Sequence, residues 1–282
     1  MLAQPLPDLA AWSQYLTGQP IPVLLDTADG LRVLAEVEER HGTVDAHLIH
    51  DAVGDDPLMT LRVLAHAARH RTDRQVTDVD TVTAAVVLMG IGPFFQTFSP
   101  PLVLDDHLAA HPQAMAEIHR LIRRAWCAAR LVTEFALLHA DGHASTLQKA
   151  ALLHGHADIL LWCHAPALAQ AVQDRCAQDP QPDSTEHERA VLNVGLRALE
   201  HRMASDWRLP AALRRLTDPD DTRSQVLLQP QRRLLTLALT LADRLDREGP
   251  HATPTLDELE ELSTLLTLSP PSVQRLIDNT LA

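Results

Sequence analysis

The chain has 282 residues, 46% of them apolar, enough to bury a sizeable core and to exclude a disordered chain. Its formal charge of −13 would repel a phosphate backbone, so nucleic acid is not an expected partner. The stretch MLAQPLPDLAAWSQYL lacks the positive flank and apolar run of a signal peptide, no run approaches the roughly 18 apolar residues of a membrane span, and Cys127, Cys163 and Cys176 form no C-x-x-C pair. A cytoplasmic protein with reduced thiols and no membrane partner is therefore expected.

Aromatic residues make up only 3% of the chain, and apolar residues recur at spacings of three and four, which predicts an all-α fold. A short N-terminal helical segment, 1–19, ends at Gln19-Pro20-Ile21-Pro22. A stripe of Leu31, Leu34 and Val37 predicts the next helix. Leu58, Leu61, Leu64, Ala65 and Ala68 share one face of another, with Asp55 or Asp56 placed to cap it and Pro57 suited to its first turn. Turns are expected at Gly90 to Pro93, at Ser99-Pro100-Pro101 and at Asp179 to Ser184. Farther on, Leu235, Leu239 and Leu241 mark a helix, and after a Pro250 to Pro254 turn Leu256, Leu259, Leu262 and Leu266 mark another. The acids alternating with these last leucines suit either a solvated face or a helix that docks a partner. Ser269-Pro270-Pro271-Ser272 leads into a last short helix. The organisation expected is one main domain over 20–220 and a helical extension over 221–282 packed on it.

Three separated segments carry a further signal. Ile21-Pro22 precedes the Asp56-Pro57 helix and a stretch ending in Met89-Gly90; Trp126 opens a helix followed by AALLHGHADILLW at 150–162; and ERAVLN from Glu188 leads to Trp207, Leu209 and Pro210. In order and spacing this succession resembles the HDOD family, all-helical, non-catalytic relatives of the HD-type metal-dependent phosphohydrolases. The resemblance covers about residues 20 to 248 and implies a compact multi-helix HD-like domain. The large side chains of Trp126 and Trp207 are expected in the core, with a lining role in a vestigial pocket as the functional alternative.

Catalytic HD proteins hold a divalent cation with histidines and a carboxylate, because the cation must acidify a water and neutralise phosphoryl oxygens. Read through the resemblance, the helical histidine after Trp126 falls at Ala128, the His-Asp pair at His154-Gly155, the next histidine at Leu196, and the closing pair at Thr217-Asp218. His154 and Asp218 are the only ligand-type residues left, so the resemblance implies no catalytic metal, no cofactor and no enzyme. The candidate vestigial pocket comprises His154, Gly155, Trp126, Ala128, Leu196, Trp207 and Asp218. His139, Asp141, His143, His154, His156 and Asp158 nevertheless crowd one segment, a composition that can bind zinc, nickel or copper. The expected role is regulatory, binding another signalling protein and a nucleotide-like small ligand. The alternative is a metal-dependent phosphohydrolase acting on a nucleotide or cyclic dinucleotide.

Overall fold

Helix starts follow the local chemistry of the chain. Asp8, Asp45, Asp56 and Thr81 each accept backbone N–H groups that the following first turn leaves free. Thr255 and Glu258 close a reciprocal capping box. The computed structural model describes residues 1–70, 79–139, 143–179, 184–218, 229–249 and 252–281.

In chain order the helices are α1 (Leu9–Gly18), α2 (Leu25–His41), α3 (Ala46–Val53), α4 (Pro57–Arg69), α5 (Val82–Met89), α6 (Ile91–Phe98), α7 (Leu104–His107), α8 (Pro112–Leu138), α9 (Ala144–Leu152), α10 (His156–His164), α11 (Pro166–Gln178), α12 (Thr185–Leu192), α13 (Leu196–Asp206), α14 (Ala211–Thr217), α15 (Gln229–Glu248), α16 (Leu256–Leu266) and α17 (Pro270–Leu281). The fold is all-α, as composition requires. The described residues add one isolated bridge between Val23 and Val103. None of the described helices is long and apolar enough to cross a membrane.

Helix contacts divide the chain into two units, Met1–His119 with Gly155–Ala211, and Arg120–His154 with Ala212–Ala282. In the first unit, α2, α3, α4, α5 and α6 bury Leu31, Ile49, Met59, Val63, Val86, Phe94 and Phe98 in one cluster. Asp56 fastens this cluster to the segment before α2. Its buried carboxylate accepts N–H groups from Leu58 at 2.8 Å, Met59 at 3.1 Å and Leu24 at 2.9 Å. Burial pushes the Asp56 carboxyl up, while these bonds and one with Thr27 pull it down. Of the two candidate caps, Asp56 is therefore the one used.

Also in the first unit, α1 packs on α13 and α10, and α10 on α11 and α13. The Trp12 indole donates to the Leu192 carbonyl at 2.7 Å, and Ser13 Oγ donates to Asp206 Oδ2 at 2.7 Å. Both bonds join residues far apart in sequence, where apolar patterning alone specifies no partner.

In the second unit α15 packs on α9 and α16, and α16 on α17. The buried face of α15 runs through Leu234, Leu235, Leu237, Ala238, Leu241 and Ala242, so Leu239 lies beside it. Arg244 pairs with Glu258 from α16, its Nη2 reaching Oε1 at 2.7 Å, and Arg124 pairs with Asp243 at 3.1 Å. Of the α16 leucines, Leu262 and Leu266 are buried, whereas Leu256 is 79% exposed.

Several expectations change in detail. Trp126 does not open a helix: α8 begins at Pro112, whose fixed φ suits a first turn, and Trp126 sits well inside it. Nor is Trp126 a core residue, for it is 37% exposed. The Gly90 to Pro93 turn shrinks to one residue. Gly90, at φ 83°, ends α5, and α6 starts at Ile91 with Pro93 in its first turn. Residues 180–183 of the expected Asp179 to Ser184 loop, and Pro250 of the later turn, lie outside the described residues.

Candidate functional site

Gly155, the residue that the family resemblance sets at the aspartate of the His-Asp pair, stands at the start of α10. Gly155 caps the start of α10 with φ 81°, a left-handed conformation that glycine enters without penalty. A Cβ there would meet no atom within 4 Å, so the constraint on Gly155 is its backbone angle and not space.

Its N–H donates to Glu200 Oε2 at 2.8 Å. Glu200 belongs to α13 and is only 8% exposed. The next residue after Gly155, His156, is buried and places Nδ1 at 3.9 Å from Glu200 Oε1. The His156 ring lies 5.7 Å from that of Trp207, itself 1% exposed. Gly155, His156, Glu200 and Trp207 therefore form one knot in the first unit, where α10 packs on α13.

Leu196 opens α13 one turn before Glu200. Its N–H donates at 2.7 Å to Glu188 Oε2, and Ser184 Oγ donates at 2.6 Å to Glu188 Oε1. Glu188 is buried as well. Two helix starts, those of α10 and α13, thus present a backbone N–H to a buried glutamate, whose charge suits the positive end of a helix.

The other candidate residues belong to the second unit. His154 is half-buried and donates its N–H to the Ala151 carbonyl at 3.2 Å. Ala128 is fully buried in α8 and presents only a methyl group. Asp218 is half-buried just past α14, and the Thr217 side chain lies outside the described residues.

Glu200 and Glu188 escaped sequence reasoning that followed the HD ligand positions, and His156 entered it only as part of the crowded His/Asp segment. A signal existed for Glu200: it interrupts the buried stripe of Leu199, Met203 and Ala204 on α13, where an acid costs free energy unless it is hydrogen-bonded.

A metal centre needs several donors converging on one point. Among the described residues no group of three His, Cys, Asp or Glu side chains does so. Of the crowded segment, His139 places Nδ1 at 3.0 Å from the Leu265 carbonyl, His143 precedes α9, and Asp141 lies outside the described residues. A groove of about 410 Å³ opens elsewhere in the first unit, beside His111, Gln113, Trp162, Pro166 and Gln170.

The HDOD domain family profile matches residues 30–220, more than half of the chain. The chain belongs to the HDOD domain family. HDOD domains are related to HD phosphohydrolases and are generally non-catalytic.

Among solved structures the chain is similar to the MmoQ response regulator from Methylococcus capsulatus, with 18% identity over 93% of this chain and 99% of that one and a TM-score of 0.68. It is also similar to a virulence factor from Campylobacter jejuni, with 15% identity, 95% and 98% coverage and a TM-score of 0.61. At these identities the likeness is one of fold. No curated protein matches the chain in sequence.

Proposed function

We propose that this HDOD protein is a non-catalytic regulatory module of signal transduction, acting by presenting helical surfaces to another signalling protein. One observation carries the reading. At the position where HD chemistry requires the aspartate of the His-Asp pair, the chain has Gly155, whose backbone is tied to Glu200. Ala128 and Leu196 likewise offer no donor atoms at ligand positions, and a lone imidazole at His154 does not hold a catalytic cation. The fold likeness to a protein described as a response regulator supports the signalling role. The same proposal has the domain bind a nucleotide-like ligand without turning it over.

Affinity capture with mass spectrometry, run beside calorimetry against cyclic dinucleotides and guanosine polyphosphates, tests this reading. A reproducible, saturable partner or an unhydrolysed ligand supports it. Metal-dependent hydrolysis of any of these nucleotides overturns it.

A further inference from the structure

The chain is acidic overall, yet one helix face gathers cations that have no carboxylate partner. On α4, Arg62, His66, Arg69 and His70 follow one another at spacings of four, three and one, which places them along one side of the helix and its end. Elsewhere, Arg32, Arg40, Arg202 and Arg244 each pair with a glutamate or aspartate. Among the described residues none pairs with these four.

Their geometry is ordered. The Arg62 guanidinium sits 5.3 Å from the centre of the Phe98 ring, and its Nη1 is buried with no hydrogen-bond partner. His66 meets the same ring edge-on at 5.3 Å and stacks on His70 at 4.1 Å. His70 Nδ1 lies 2.9 Å from the His66 carbonyl, so it donates there and leaves Nε2 free to face solvent. Arg69 anchors the stripe by donating to the Thr17 carbonyl at 3.1 Å. The end of a helix favours cations in its last turn, which accounts for Arg69 and His70. Arg62 lies two turns earlier, beyond the reach of that effect.

We propose that Arg62, His66 and His70 form a binding site for a tetrahedral oxyanion, the phosphate of a small phosphorylated ligand. Arg62 supplies a fixed charge and planar donors, held over the Phe98 ring, and the stacked imidazoles supply N–H donors. Burial, followed by the charges of His70, Arg69 and Arg62, holds the His66 imidazole below its ordinary range in the free protein. An anion reverses that balance, so binding takes up a proton. Among the described residues, α5 and α6 contain no ionisable residue, and α1 contributes only Tyr15 within its span. The site shares no residue with the Gly155–Glu200 knot.

Calorimetric titration of the whole chain tests the site. Sulfate, whose charge stays fixed across the range, is the pH probe and should bind at least several-fold more tightly at about pH 6 than at about pH 8. Inorganic phosphate and adenosine monophosphate are compared at one pH. Equal affinity assigns the site to free phosphate and tighter binding of the ester to a phosphate monoester, and either result supports it.

Arg62→Met keeps an apolar contact on Phe98 and should weaken binding roughly tenfold or more, as loss of a charge-assisted bond requires. His66→Asn should weaken it and flatten the pH dependence, whereas Arg32→Gln should change neither. His66→Asn decides alone if Arg62→Met does not fold. Absence of binding by all three anions up to about 10 mM, or affinity unchanged in the decisive variant, overturns the proposal.

Discussion

The N–H of Gly155 donates to the buried carboxylate of Glu200 at 2.8 Å and so joins the start of α10 to α13. The carboxylate at this site comes from α13 and binds backbone. It serves the packing of α10 on α13.

Removing that acceptor leaves a part-buried donor without it. Glu200→Ala should destabilise the protein by about 1–3 kcal/mol, read from urea denaturation, and Glu200→Gln by less, because an amide oxygen still accepts. Equal stability of Glu200→Ala and the parent would show that the bond contributes nothing.

Gly155 is constrained by its dihedral angle alone. Gly155→Ala should cost about 1–2 kcal/mol, and Gly155→Asn less, since asparagine enters the left-handed region more readily. The ranking, measured by thermal melting, separates a dihedral cause from a steric one.

The two tryptophans singled out by the family pattern should behave oppositely. Trp207, fully buried, should cost about 3–5 kcal/mol on truncation to alanine. Trp126, more than a third exposed, should cost well under half of that.

Acid should weaken the fold through His164. Burial first, and then the neighbouring His107, pull its imidazole down to about 4, while a bond to the Pro20 carbonyl opposes them. Because the folded value lies below that of the unfolded chain, the unfolded state binds the proton first. The contribution of neutral His164 is complete above about pH 6.5 and is lost progressively as pH falls towards about 4. His164→Gln, which cannot titrate, should show a shallower fall in denaturation midpoint across that window. An identical profile for parent and variant would contradict the assignment.

The helices were legible because leucine and alanine spacing and Asp-Pro starts are local signals. Asp56 was recognisable as a cap, but its third bond, to Leu24, joins residues 32 apart, and no local pattern encodes it. Trp126 was misplaced because a family landmark was read as a helix start, whereas Pro112 marks the start of α8. Ala128, Gly155 and Leu196 enter as ligand positions only through the family resemblance. The partners of Glu200 and Glu188 were not legible, because they depend on which backbone N–H the fold brings to each carboxylate.

Elemental analysis of the purified, active-fold protein, with a phosphodiesterase assay on the same preparation, tests the central claim most directly. A non-catalytic domain closed by the Gly155–Glu200 tie predicts metal well below one ion per chain and no hydrolysis. Stoichiometric manganese, iron, nickel or zinc, with hydrolysis that disappears in His154→Ala, would contradict it.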